Sequence, residues 1–415
     1  MNAKILILGA SAENTGFIQK LIELGLHVVC LDKHPTLDKT FLSKNVKQLT
    51  CIECDFINTQ AVKDIVVQEH ITHTIALPIG RSLVALGKIN DYFNFAGPSF
   101  DAIDRLTDKV KFHQLCQELA LDDAQYIALN DGQPNTISSQ ISAIEQALAY
   151  PVIVKPSLGS GSLGVRYIAT REELLAYQAP ERFISSPLLV EQAISGEEYS
   201  CNVFIDRHQE IHSMGIFKKE ISAIPYRQEI AYFIDDYSCV FDAILPSMQK
   251  IVQKLNLSQS FLHADIIMTE QGKHYIIDIS PRLTGNNVLK LLTFTNNNPI
   301  EIYYKEVLGN QSANYHKVQE AAALRFFSFD HEIVYGAAHC NGSNQSNSSP
   351  KIDSIFSPEE LPNIIELANH MILGNSYGAM QNGADTNNGY IFAKGKDLAS
   401  ANELTCRYLQ ALAHF

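Results

Sequence analysis

The 415-residue sequence predicts an α/β protein in two parts: an N-terminal parallel sheet layered with helices, then a longer α+β part built on antiparallel strands. Three observations carry this expectation. Over the first hundred residues, short apolar runs alternate with helical patterns, the β-α-β rhythm of a parallel sheet covered on both faces. From Tyr150 to Val203 the pattern turns strand-rich, with PVIVK, VRYIA and LLVEQ. Beyond it, Phe261 to Arg282 reads as a β-hairpin, two apolar-alternating runs around a polar turn at Gln271-Gly272.

In chain order, Lys4 to Leu8 is a strand, Gly9 to Gly16 a turn and Phe17 to Leu24 a helix. His27 to Leu31 is a second strand ending at Asp32, and further strands fall at Val46 to Cys51 and Thr74 to Leu77. Ligands of such sheets lie at the carboxyl ends of strands, here Gly9 to Ser11 and Asp32. Gly97-Pro98-Ser99 closes this unit, and a helix from about Phe100 to Leu119 contains Asp108-Lys109. A link through Asn130 to Pro134 precedes a helix near Ile141 to Ala149. The expected divisions are 1–103, 104–187 and 188–415. The low-complexity run NGSNQSNSSP, Asn341 to Pro350, reads as a surface loop. The end of the chain carries a strand, GYIFAKG, followed by an amphipathic helix.

Composition narrows the function. Hydrophobic content of 46% and charged content of 19% are ordinary for a soluble globular protein. A net charge of −13 argues against nucleic acid or an anionic membrane as partner, and an anionic substrate would need a local basic site. No stretch approaches a transmembrane helix, and the opening apolar run is too short for a signal peptide. The eight cysteines are spread thinly, and Cys51 and Cys54 form a C-x-x-C with no second pair. Reduced cysteines in a cytoplasmic protein are the simplest account.

Gly159 to Gly164, GSGSLG, matches G-x-G-x-x-G, but its context rejects a dinucleotide site. It lies mid-chain and a strand, not a helix, follows it. The turn near Gly9, GASAENTG, lacks the required glycine spacing, and no P-loop motif is present. The loop therefore joins two strands, either as a plain hairpin turn or as a flap offering backbone N–H groups to phosphate. Lys155 ends the preceding apolar strand and can reach the same phosphates as a cation. Lys109 either adds a second charge or sits solvated on its helix. Leu188 to Glu191, followed by Gln192-Ala193-Ile194, has the form of an edge that reads adenine, and Glu198 can accept from ribose hydroxyls, although either glutamate taken alone reads as a surface residue.

The hairpin supplies the other half of a site. A register that pairs Glu270 with Lys273 sets Asp265 opposite Asp278 and His263 opposite Ser280. His263, Asp265, Asp278, Ser280 and Arg282 then share one face, while Ala264, Ile266, Met268, Tyr275, Ile277 and Ile279 form a core face. Like charges directly opposite destabilise a sheet, so the aspartate pair calls for a compensating cation. Two carboxylates beside a hydroxyl suit Mg²⁺ holding phosphates, the alternative being a solvated hairpin face carrying scattered charges.

In this order and spacing the elements resemble the ATP-grasp superfamily. The resemblance rests on GPS then DK (Gly97 to Ser99, Asp108-Lys109), on VIVKPSLGSGSLGV (Val152 to Val165), on LLVEQAISGEEYS (Leu188 to Ser200) and on DIIMTEQGKHYIIDISPRLTG (Asp265 to Gly285). It implies a Rossmann-like pre-ATP-grasp domain followed by a two-subdomain ATP-grasp fold with a small lid. By the resemblance, Lys109 and Lys155 would bind nucleotide phosphates, and Gly159, Ser160, Gly161, Ser162 and Gly164 would close over them. Glu191, Gln192, Ala193 and Ile194 would hold adenine and Glu198 the ribose. Asp265 and Asp278 would ligate Mg²⁺, with Mn²⁺ as a substitute, and Arg282 would stabilise an acyl-phosphate and its transition state. The sequence departs from the family pattern in carrying aspartates where glutamates are common, and Ser280 where an asparagine is common.

The resemblance implies ATP-dependent ligation: a carboxylate activated as an acyl-phosphate and joined to an amine, with amino acids among the candidate substrates. The alternatives are a carboxylase acting through carboxyphosphate and a non-catalytic nucleotide-binding protein. The closing strand and helix resemble the C-terminal trim of biotin-carboxylase-like and amino-acid-ligase members. Lys218, Lys219 and Arg227 either grip an anionic substrate group or are solvated, in an acceptor region spanning Lys218 to Asp236 and Thr284 to Asn298. His263 either orients a ligand or is structural. Small-molecule carboxylate and amine substrates are the implied partners, with no nucleic acid and no membrane, and family members are often homodimers.

Overall fold

The computed structural model describes residues 3–159, 161–336 and 350–415. Ser160 of the expected flap and residues 341–349 of the expected low-complexity loop lie outside them. Near the N-terminus, β1 (Lys4–Leu8), β2 (His27–Asp32), β3 (Leu49–Glu53) and β4 (His73–Ile75) pair in parallel, in the order β3-β2-β1-β4. Ile5 and Ile7 pack with Phe17, Ile18 and Leu21 of helix Thr15–Glu23, while Leu6 and Leu8 pack with Val62, Val66 and Leu86. Burial on both faces is why these strands read as continuous apolar runs. The third strand begins at Leu49 rather than at Val46, whose side chain is exposed.

The helix expected over Phe100 to Leu119 is two helices, Phe100–Thr107 and Lys109–Glu118. Asp108 breaks it with extended backbone, φ −95° and ψ 110°, and its carboxylate accepts from the amides of Val110 and Lys111. Aspartate is a strong N-cap because its oxygens satisfy amides a helix start leaves unpaired. Lys109 thereby becomes the first residue of a new helix.

The small sheet contains β5 (Tyr126–Leu129), β6 (Val152–Pro156), β7 (Arg166–Ile168) and β8 (Leu188–Gln192), antiparallel in the order β5-β8-β6-β7. Helix Pro134–Ala147 covers it, starting at a proline and earlier than the expected Ile141. This sheet runs through Gln192, beyond the division expected at 187.

The large sheet is antiparallel. Its strands are β9 (Glu197–Ile205), β10 (Ile211–Ile221), β11 (Glu229–Ile234), β12 (Ser260–Met268), β13 (His274–Ser280) and β14 (Ala321–Phe326), joined after the short β15 (Ile333–Val334) by β16 (Ile364–Asn369) and, after β17 (Ser376–Tyr377), by β18 (Gly389–Gly395). The order is β13-β12-β9-β10-β11-β14-β18-β16, with β15 and β17 paired apart. Helix Ser238–Lys254 lays Val240, Ile244, Met248 and Ile251 on Val203, Leu262, Ala264 and Ile266. The expected final strand and helix are β18 and Leu398–Ala413. No helix among the described residues is long and apolar enough to cross a membrane.

Candidate functional site

The small sheet and the large sheet face one another across a single pocket. It is lined by Lys109, Lys155, Gly159, Gly161, Ser162, Glu191, Gln192, Ala193, Ile194, Glu198, Asp265 and Asp278, twelve of the residues singled out in the sequence. Lys219, Ile221, Arg227, Glu229, Ile267 and Ile277 complete the wall on the large-sheet side. The glycine loop joins β6 to β7, two antiparallel strands, as its context requires. Gly164 stands at the far end of that loop with φ +82°. A Cβ there would meet Pro180 Cδ at 2.9 Å, and its carbonyl accepts from Tyr177 Oη at 2.7 Å, so it anchors the loop.

The hairpin pairs Asp265 with Asp278 and His263 with Ser280, in the expected register. Past the aspartates the register slips: Ile266 faces Ile276, which leaves Ile277 as an extra residue in β13. The core face therefore differs from the strict alternation expected. Ile276 packs in the core, while Ile277 turns to the pocket and its carbonyl accepts from Lys155 Nζ at 3.2 Å.

Each aspartate has its own lysine. Lys109 Nζ lies 3.0 Å from Asp278 Oδ1 and donates to the Gly159 carbonyl at 3.0 Å, tying hairpin to flap. Burial alone would raise the Asp278 pKa, but Lys109, Lys155 and Arg282 together hold it below the usual carboxylate range. Lys219 Nζ sits 3.0 Å from Asp265, 3.4 Å from Glu229 and 3.8 Å from Glu198. Burial opposes its charge, yet these carboxylates keep its pKa well above the ordinary lysine value. Burial raises the Glu229 pKa despite Lys219, since Asp265 and Glu198 add like charge. Arg227 pairs with Glu198.

Arg282 stands behind the wall, donating to the Leu283 carbonyl at 2.6 Å. Burial depresses its pKa against the pull of Asp278 and Asp265. His263 Nδ1 donates to Asn202 Oδ1 at 3.1 Å, and burial pushes its pKa down to about 4 despite nearby Asp265. It is a neutral imidazole held by a neighbouring amide, which favours the structural of its two expected roles. Ser280 is buried beside it.

The Glu191 side chain differs from its expected part in an adenine edge. Its carboxylate turns inward, accepting from Lys155 Nζ and His113 Nε2, both at 2.8 Å. Gln192, Ala193 and Ile194 line the pocket at this edge. Sequence reasoning missed His113, Asp123 and Glu229. The first had a readable signal, since it lies one helical turn after Lys109. Of the expected anion-gripping residues, Lys218 is an exposed partner of Glu197, whereas Lys219 and Arg227 are in the pocket. The donor set suits a hard divalent cation: Asp265 and Asp278 are opposed carboxylates on one pocket wall, and neither is spent on capping or turn hydrogen bonds.

Fold and site define a two-lobed clamp, with Lys155 and a glycine flap on the small sheet and the paired carboxylates, with Lys109 beside them, on the large-sheet side. Residues 148–290 match the ATP-grasp domain family. The chain is 22% identical over 232 residues to an L-arginine-specific L-amino acid ligase of Bacillus subtilis, a match covering 54% of each chain. The chain thus spans about half the length of that relative. The crystal structure of L-amino acid ligase from Bacillus licheniformis superposes with a TM-score of 0.74 at 16% identity, covering 98% of both chains. The biotin carboxylase domain of Hydrogenobacter thermophilus 2-oxoglutarate carboxylase, crystallised with MgADP, ADP and bicarbonate, gives 0.65 at 14% identity, covering 97% of this chain and 88% of that one. These structural likenesses speak to fold.

Proposed function

We propose that this chain is an ADP-forming ligase that uses ATP to activate a carboxylate as an acyl-phosphate and joins it to an amine, amino acids being the favoured substrates. The observation that carries the proposal is the meeting of Lys109 and Lys155 with the opposed Asp265 and Asp278 in one pocket under a glycine loop. Lys109 and Lys155 neutralise nucleotide phosphates, and the Gly159–Gly164 loop covers them with backbone N–H groups. Residues 192–194 border the base and Glu198 the ribose. Asp265 and Asp278 would hold Mg²⁺, or Mn²⁺ in its place, and the cation would supply neutralisation of phosphate charge.

The γ-phosphoryl passes from ADP oxygen to a carboxylate oxygen, and ADP leaves. The amine attacks the acyl carbon, the C–O bond to phosphate breaks with its electron pair, and the amine gives up a proton. Arg282 offsets the charge of the acyl-phosphate from behind the aspartate pair. No covalent enzyme nucleophile takes part. The reading includes a cytoplasmic location, supported by the free cysteines among the described residues. It also includes a homodimer, which light scattering tests.

The experiment is nucleotide turnover with Mg²⁺-ATP, challenged with pools of amino acids, other amines, carboxylic acids and bicarbonate. ADP and phosphate formed only with a carboxylate–amine pair supports the ligase. A bicarbonate requirement moves the assignment to carboxylation, and AMP with pyrophosphate contradicts the acyl-phosphate route.

A further inference from the structure

Helix Lys109–Glu118 carries two cationic positions one turn apart, and both reach the pocket wall. Lys109 meets Asp278 directly. His113 is buried one turn deeper, only 5% exposed, with its ring stacked on Tyr126 at 4.1 Å. Its Nδ1 lies 2.8 and 2.9 Å from the two carboxylate oxygens of Asp123, and its Nε2 lies 2.8 Å from Glu191 Oε1. Glu191 Oε1 also receives Lys155 Nζ at 2.8 Å. The result is an unbroken chain of side chains, Asp123, His113, Glu191 and Lys155, running from the back of the small sheet to the pocket.

An imidazole with a carboxylate at each nitrogen has two acceptors to satisfy, and only the imidazolium has two N–H donors. The charges then alternate along the chain. Each charge-assisted hydrogen bond is stronger than a neutral one, and each buried charge has opposite neighbours. Glu191 is pinned between two donors, which fixes where Lys155 can stand.

We infer that His113, oriented by Asp123, is a positioning residue that holds Glu191, and through it Lys155, where the lysine binds nucleotide phosphate. This rests on the reading of the pocket as a nucleotide site. Deprotonation of His113 takes the ring's donor from one of its two carboxylates, and loss of the one to Glu191 leaves that side chain held by Lys155 alone, so nucleotide affinity depends on the imidazolium. The groups facing the ring are Asp123, Glu191 and Tyr126, with Cys116 near Asp123 and Lys155 beyond Glu191. Burial alone would lower the His113 pKa, but the two carboxylates raise it above the ordinary value. The two carboxylates therefore favour the cation, which is lost as pH rises through that raised pKa.

The test is calorimetric binding of ADP with Mg²⁺ to the full chain, from about pH 6 to about pH 9, for wild type, His113→Gln and Asp123→Asn. Wild-type affinity falls toward alkaline pH. His113→Gln binds about tenfold more weakly at neutral pH, a difference of about 1.4 kcal/mol, and its affinity no longer follows pH. Asp123→Asn removes one of the carboxylates that favour the cation, so its affinity falls at a lower pH than that of wild type. A His113→Gln protein with parental affinity and pH profile overturns the inference. So does a loss of affinity with the pH profile unchanged, which is what a structural role alone produces. If His113→Gln fails to fold, an Asp123→Asn profile that superposes on wild type overturns it. Wild type that binds no ADP overturns the nucleotide reading itself, a failure distinct from these.

Discussion

On the small-sheet wall of the pocket, Lys155 meets one carboxylate, Glu191, whose charge is shared with His113. On the large-sheet wall, Lys219 meets three carboxylates, Glu198, Glu229 and Asp265, with Arg227 as the nearest further cation. Both lysines are buried, yet the surroundings differ in balance. The first wall is electrically closed and needs no further partner to be stable, so it can present a fixed cation to an anion. The second carries more acid than base, and with Asp278 opposite Asp265 it favours an incoming cation. A clamp for a metal–nucleotide complex needs both kinds of wall.

Predictions can break this comparison, the largest effect first. Asp278→Asn removes one of the paired carboxylates and should lower turnover by about a hundredfold or more, with circular dichroism unchanged; full activity would remove the metal-face argument. Arg282→Ala should cost about tenfold to a hundredfold in kcat while the KM for ATP stays near wild type, because the guanidinium stands behind the aspartates rather than in the nucleotide wall. Lys219→Met leaves three carboxylates without their shared cation and should cost about 3–5 kcal/mol of stability. Added Mg²⁺ should restore part of the lost Tm, which the same substitution at an evenly balanced wall would not show.

Glu229→Gln sharpens the contrast in the opposite direction. A carboxyl whose pKa is raised on folding favours the protonated native state, so its stabilising contribution is full below its unfolded pKa and is lost as pH rises through the folded value. The variant should therefore melt a few degrees above wild type at neutral pH and converge with it on acidification. The smallest effect belongs to Lys218→Ala, whose exposed pairing with Glu197 should be worth less than about 1 kcal/mol in thermal denaturation.

Much of the site was legible because it follows local rules. Alternation along a hairpin put Asp265 opposite Asp278, and an apolar strand ending in lysine followed by glycines placed Lys155 beside a loop. What escaped depends on tertiary contact. Asp108 reads as a polar residue within a helical run, and only its capping geometry turns it into a break. Glu191 looked like a ligand because of its place in the ordered series of motifs; its inward turn meets His113, which is 78 residues away. Glu229 lies in a stretch with no pattern beyond a short strand, and its importance comes from the neighbours β10 and β12 bring to it. The slip at Ile277 has no marker in the sequence, since neither a glycine nor a proline stands there.

That one surplus residue in β13 makes the hairpin a docking gauge. The carbonyl it turns outward is where the small sheet's lysine lands, at 3.2 Å, next to the pairing of Lys109 with Asp278. Swinging the small sheet away must break the Lys155 contact and the hydrogen bond from Lys109 to the Gly159 carbonyl in the same movement. Shortening β13 by that residue would leave a hairpin of perfect alternation, and a lobe with nothing to measure its closure against.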